Sequence, residues 1–192
     1  AGIRQVLVVT GLEHMGHVVG ALGSGADLGC ELTYRVQDEA GGIAQALGLA
    51  EDFAGGGPVA VVLGDNVFQD ALRPEVLRFL EQGRGARILL KQVEDPARFG
   101  VPTLQGERIV RIDEKPAEPA SSYCVTGLYL YDAGVFDVIR GLQPSARGEL
   151  EITDVNNRYI EQGLLSWGEL EGWWTDAGTF ESLARANRLL GG

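Results

Sequence analysis

The strongest constraint on this chain is a rhythm. Short runs dense in Val, Leu and Ile, at residues 3–10 (IRQVLVVT), 59–63 (VAVVL) and 86–93 (ARILLKQV), are separated by segments of helical period. A strand with one wet face alternates apolar and polar residues, so a run without alternation suits a sheet covered on both faces. Residues 31–37 add another strand. Between these runs, residues 13–22 read as a helix. A second begins near Gly42, with Ile43, Leu47, Ala50 and Phe53 on one stripe, and a third spans 70–81 with Leu72, Val76 and Leu80 inward. Strand–helix alternation of this kind predicts an α/β fold: a Rossmann-like, mixed but mostly parallel sheet flanked by helices. Past residue 99 the rhythm changes. Residues 99–104 and 108–113 read as a hairpin joined by Gln105-Gly106-Glu107, and 124–131 as a strand. Residues 135–142 and 149–162 read as helices, 165–170 as a short strand and 180–190 as a last helix. No repeat or linker interrupts the 192 residues, so a single domain over 1–192 is expected.

Charge narrows the function classes. The chain carries 16 Lys and Arg against 27 Asp and Glu, a net charge of −11. Such a surface repels a polyphosphate backbone, so no nucleic acid is expected as a partner. A small phosphate ligand chelated to a divalent ion stays open, because the ion brings its own charge. The two cysteines, Cys30 and Cys124, sit in apolar runs and read as buried free thiols of a reducing compartment. His14 and His17 have no third ligand near them, which argues against zinc. No apolar run reaches the ~18 residues of a membrane span and no signal-peptide layout is visible, so a cytoplasmic location and no membrane partner are expected.

Four segments can carry chemistry. In Leu63-Gly64-Asp65-Asn66 a strand ends in a carboxylate, where open α/β sheets bind ligands; Asp65 either holds Mg²⁺ or caps a turn. In Gln37-Asp38-Glu39-Ala40-Gly41-Gly42 a strand ends at an amide and a Gly pair opens a helix. Gln37 and Gly42 either meet a base edge or form a plain loop. Asp113-Glu114-Lys115-Pro116 offers a carboxylate and a cation for a sugar hydroxyl and a phosphate, or a charged turn closed by proline. Trp173-Trp174-Thr175-Asp176 either sets Asp176 against a ligand or uses it as a helix cap. The glycine run at 23–29 is not a dinucleotide fingerprint, since its spacing is wrong and it precedes a strand. Neither a P-loop nor a G-x-S-x-G elbow occurs.

Taken in order, VQDEAGGIAQAL (36–47), VVLGDNVF (61–68), DPARFGV (95–101), IDEKPAEP (112–119), YCVTGLYLYD (123–132), PSARGELEITDVNNRYIEQG (144–163) and WWTDAGTFESL (173–183) resemble the sugar-1-phosphate nucleotidyltransferases. Within that family they are most similar to the short glucose-1-phosphate thymidylyltransferases, and the resemblance runs from Ala1 to about Leu190. It implies transfer of a thymidylyl group from dTTP to glucose 1-phosphate, with in-line attack on the α-phosphorus, giving dTDP-glucose and pyrophosphate. Mg²⁺ is the implied cofactor and a homo-oligomer, a tetramer, the implied assembly. By position, Asp65 and Asp176 would hold the metal and Gln37 and Gly42 would meet the thymine. Gly100, Glu114 and Val125 would line the glucose pocket, and Lys115 and Arg147 would contact the sugar phosphate. A Gln amide suits thymine and uracil alike, so a sister enzyme using UTP stays open.

The chain departs from the family at Phe99, where Tyr is usual, and at its front. Family members begin with a strand and a G-G-x-G-T-R-L loop with a Pro-Lys segment, whose cations act on the transferring phosphate. On that reading the 192 residues are expected to be truncated relative to the family and to lack its first strand. Catalysis by them alone would then be weak or absent, with a silent nucleotide-sugar binding module as the alternative.

Overall fold

The computed structural model of the chain describes residues 2–191. They form two compact units.

The first unit comprises residues up to 57 together with Ala133–Val155. Strand β1 (Gln5–Gly11) pairs in parallel with β2 (Glu31–Gln37), in register from Gln5 opposite Glu31 to Gly11 opposite Gln37. A parallel pair needs a crossover, supplied by α1 (Met15–Leu22) and a 3₁₀ turn at Ala26–Leu28. The helix expected from Gly42 through Phe53 is two pieces, α2 (Ile43–Gly48) and α3 (Glu51–Ala54). The chain turns at Leu49-Ala50, where Arg35 donates to the Leu49 carbonyl at 2.7 Å. Ala44 and Leu47 are buried while Phe53 is exposed, so the expected stripe ends with α2. Helix α5 (Val135–Arg140) packs against α2, and Arg140 closes both oxygens of Glu51 at 2.7 and 2.8 Å.

The second unit comprises Pro58–Asp132 and Asn156–Gly192, less the last residue. Its sheet runs in the order β3 (Val59–Val62), β8 (Tyr123–Tyr131), β5 (Ala86–Gln92), β9 (Leu165–Glu169). β8 is antiparallel to both neighbours, and β5 is parallel to β9. A short ribbon joins β4 (Asn66–Phe68) to β10 (Trp174–Asp176). A hairpin joins β6 (Gly100–Gln105) to β7 (Arg108–Glu114), turning at Gly106 with φ 62°. The run at 3–10, expected to be buried on both faces, gives β1 without a buried residue, and the apolar run at 59–63 does not form a covered strand either. Instead β3 lies at the edge of its sheet and Val62 is 52% exposed. An apolar run reports low polarity, not coverage. Burial on both faces falls on β8, from Cys124 to Tyr131, and on β5, from Ala86 to Leu90.

Helix α4 (Arg73–Gln82) also corrects the pattern. Leu80 is 54% exposed, and the residues buried are Glu75 and Phe79. The cause is an ion pair: Glu75 Oε2 receives Arg87 of β5 at 2.6 and 2.8 Å, which fixes the rotation of the helix. Glu75 counts as polar in any stripe, so periodicity points the helix elsewhere. The helix expected over 149–162 begins only at Ile152 (α6, Ile152–Glu161), because residues 149–151 are engaged in other hydrogen bonds. Helix α7 (Phe180–Leu190) is closed by a capping box between Thr179 and Ser182. Among the described residues no helix is long and apolar enough to cross a membrane.

Candidate active site

Asp65 and Asp176 are 111 residues apart in sequence, and the β4–β10 ribbon is what joins them. Asp176 pairs with Asn66, the residue after Asp65, and Ala177 N–H donates to the Asp65 carbonyl at 2.6 Å. A Cβ built on Gly178 would lie 3.2 Å from Asp65 Oδ2 and 4.0 Å from Asp176 Oδ2, so both oxygens face the same small space. Asn66 Nδ2 donates to the other Asp65 oxygen, Oδ1, at 2.8 Å. The Asn66 carbonyl is itself held by Gly127 N–H at 2.8 Å and by the Trp174 indole at 2.7 Å. Any side chain at 127 would push into that amide, at 2.6 Å. Asp65 is therefore oriented through an amide anchored on two other strands. Asp176 Oδ2 receives Arg98 at 3.2 Å.

Two hard carboxylate oxygens about a space left by glycine fit Mg²⁺, which takes few protein ligands and keeps water or phosphate oxygens for the rest. Among the described residues no group of three or more His, Cys, Asp or Glu could hold a metal, so a closed protein cage of the zinc type is not what this pair resembles.

The same negative field reaches β8. Burial pushes the Cys124 thiol up to about 12, and the Asp176 charge adds to it. Burial also raises the Tyr129 phenol, helped by the charges of Glu114 and Asp65. Glu114 ends β7 directly opposite Gly100 of β6, with Lys115 Nζ 4.0 Å from its Oε1. Lys115 N–H closes the hairpin on the Phe99 carbonyl at 2.9 Å. Its φ of 45° makes it the one non-glycine among the described residues with positive φ, a strained backbone at a candidate ligand contact. Val125 lies on β8 opposite Leu90 and is buried. Gly100, Glu114 and Lys115 are thus brought together by one hairpin, against which β8 packs.

The remaining candidates lie in the first unit. Gln37 Nε2 donates to the Gly42 carbonyl at 3.1 Å and to Gln45 Oε1 at 2.7 Å. Its donor is spent within the turn, and the carbonyl oxygen is the end that can accept from a ligand. Gly42 has φ 95°, and a Cβ there would overlap the Leu150 carbonyl. Leu150 bonds the turn on both sides, N–H to Gly41 at 2.8 Å and carbonyl from Ala44 at 3.2 Å. Arg147 aims its fork at Glu151, at 2.8 and 2.9 Å, with Glu149 at 3.5 Å. Sequence reasoning missed Asn66, Arg98, Gly127 and Gly178. All four stood within quoted motifs, but nothing local marks Gly127 as the seat of a distant amide.

Comparison with known proteins agrees on one family. The nucleotidyl transferase family model matches residues 1–191. A glucose-1-phosphate thymidylyltransferase of Neisseria meningitidis is 44% identical over 97% of the chain, which spans 66% of that protein. The low-salt glycan biosynthesis nucleotidyltransferase Agl11 of Haloferax volcanii is 38% identical over 99% of the chain, which spans 54% of that protein. The chain thus covers under two thirds of the length of such relatives. A crystal structure provisionally described as a glucose-1-phosphate thymidylyltransferase from Bacillus anthracis, in complex with sucrose, superposes with a TM-score of 0.91. It is 60% identical, covering 95% of this chain and 74% of that one. A UDP-glucose pyrophosphorylase complexed with UDP-glucose shares the fold at a TM-score of 0.85 and 20% identity. This chain belongs to the nucleotidyl transferase family.

Proposed function

We propose that the chain serves the transfer of a thymidylyl group from dTTP to glucose 1-phosphate, yielding dTDP-glucose and pyrophosphate, with Mg²⁺ held by Asp65 and Asp176. The observation that carries this is the convergence of the two Oδ2 atoms on the space beside Gly178. The thymidylyltransferase relatives and the 60%-identical neighbour support the choice of substrates. A bound Mg²⁺ would supply charge neutralisation on the phosphates and a template for the α-phosphorus.

The protein groups do the positioning, which is most of what phosphoryl transfer asks of them. The Gln37 carbonyl accepts the ring N–H of the pyrimidine, and Gly42 leaves backbone room for the base. The Glu114 carboxylate accepts from glucose hydroxyls beside the Gly100 backbone, with Val125 as an apolar wall. Lys115 binds the sugar phosphate as a point charge. Within the first unit, Arg147 offers its guanidinium to a phosphate by exchanging Glu151 for phosphate oxygens, both being bidentate partners. A homotetramer belongs to the same proposal, and light scattering of the purified chain tests it.

Turnover decides the reading. With Mg²⁺, dTTP and glucose 1-phosphate, pyrophosphate release is expected, and Asp65→Asn and Asp176→Asn should each cut it by about 10³-fold or more while far-UV circular dichroism stays unchanged. Retained activity in both variants would falsify the metal assignment. Calorimetric binding of dTDP-glucose with no turnover would favour the silent module. Faster turnover with UTP would reassign the nucleotide, which the Gln37 carbonyl by itself does not choose.

A further inference from the structure

Arg98 has no part in the scheme above, yet it touches one of its two carboxylates. Its Nη2 lies 3.2 Å from Asp176 Oδ2, the same oxygen that faces Asp65 across the space beside Gly178. Arg98 ends a single 3₁₀ turn, Pro96–Arg98, and its guanidinium lies 5.4 Å from the Phe99 ring centroid. Phe99 is fixed edge-on to Trp174, with centroids 5.3 Å apart, two residues before Asp176. The stem of the arm is thus anchored beside the ribbon that carries Asp176. Its head is 49% exposed where Asp176 is 20% exposed, so it faces open solvent.

We propose that Arg98 is a reserve cation for the metal position, paired with Asp176 when no divalent ion is there and turned onto a phosphate group when one is. The inference rests on the Mg²⁺ reading above and deepens it. Without an ion, Asp65 and Asp176 are like charges facing one space, and the guanidinium offsets that repulsion. A divalent ion on Oδ2 does the same with twice the charge and repels Arg98. Once displaced, this cation is drawn to the next nearest anion. The phosphate oxygens that accompany the ion match its two-pronged geometry.

Mn²⁺ as the probe separates the two roles. Its affinity for the unaltered chain, Arg98→Gln and Arg98→Lys is read by electron paramagnetic resonance. Pyrophosphate is then titrated calorimetrically into each Mn²⁺-loaded protein. Arg98→Gln is expected to bind Mn²⁺ alone roughly three- to tenfold more tightly, because a repelling cation has gone. The same variant should bind pyrophosphate roughly five- to tenfold more weakly, having lost a charged fork. Arg98→Lys should fall between on both counts. Weakening of both affinities in Arg98→Gln would mean a plain structural role and overturns the proposal, as does unchanged Mn²⁺ affinity. Tighter Mn²⁺ with unchanged pyrophosphate overturns the phosphate half. No Mn²⁺ binding by the unaltered chain at millimolar concentration overturns the metal reading itself.

Discussion

The Asp65 corner and the Gly42 turn solve one problem in two ways. Each aims a candidate side chain with a neighbouring amide, Asn66 for Asp65 and Gln45 for Gln37. At the Asp65 corner that amide is anchored by residues far away in sequence, Gly127 and Trp174. At the Gly42 turn the amide is local, one turn into α2, and the long-range anchor is main chain, Leu150 against Gly41 and Ala44. The first is a side-chain network that sets a direction. The second is a backbone fit that sets whether the turn exists. Damage at the corner should appear first in ligand binding, and damage at the turn first in stability.

The largest effect should come from Gly42→Ala. The new Cβ meets the Leu150 carbonyl, main chain that cannot rotate aside, at a φ unsuited to any side chain. A loss of about 3 kcal/mol is expected, read as a lower urea midpoint. An unchanged midpoint would erase the contrast. Next is Asn66→Ala. It leaves the Trp174 indole and the Gly127 N–H without their acceptor and Asp65 without its guide. Both donors are partly buried, so about 1–2 kcal/mol is expected. Mn²⁺ affinity should also fall, which Gln45→Ala should not cause. If the two amide variants changed Mn²⁺ binding equally, the corner would not be a positioning network.

Lys115 sharpens the contrast, because there backbone strain and the proposed ligand contact fall on one residue. Lys115→Gly should relieve the left-handed conformation and raise stability by about 1 kcal/mol, while weakening glucose 1-phosphate binding and sparing dTTP. A variant that loses stability would show that the side chain, not the turn, holds the hairpin end.

How much of this was legible follows from the reach of each signal. β2 at Glu31–Gln37 was read to the residue, because charged and glycine residues bound a clean strand pattern. Asp65, Gln37, Glu114 and Asp176 stand in short motifs at the ends of elements, whereas Gly100, Val125 and Arg147 came only with the family resemblance. What the sequence hid was long-range. Nothing in residues 70–81 announces that Glu75 meets Arg87, so the buried stripe of α4 was misplaced at Leu80. Nothing near Gly127 announces Asn66, 61 residues earlier. The break between α2 and α3 likewise meets a partner outside the helical window, Arg35 on the Leu49 carbonyl. Local periodicity specifies which elements form; partners outside the window specify how they are rotated and where they stop.

The response to pH separates the two units once more. Cys124, Tyr129, Tyr131 and Tyr159 all belong to the second unit, and burial raises each above its ordinary value. A thiol that titrates near 9 when unfolded and near 12 when folded holds its proton more tightly in the native chain. The native state then binds more protons than the unfolded one across that window, so stability falls as pH rises. The contribution is complete below about pH 9 and is lost progressively toward 12; the phenols add theirs from about 10 upward. The urea midpoint should therefore drop between pH 8 and pH 10.5. Cys124→Ala, though less stable at pH 8 for its lost volume, should show a shallower drop. An equal drop in both proteins would place the alkaline sensitivity with the tyrosines alone and remove the Asp176 field from any part in it.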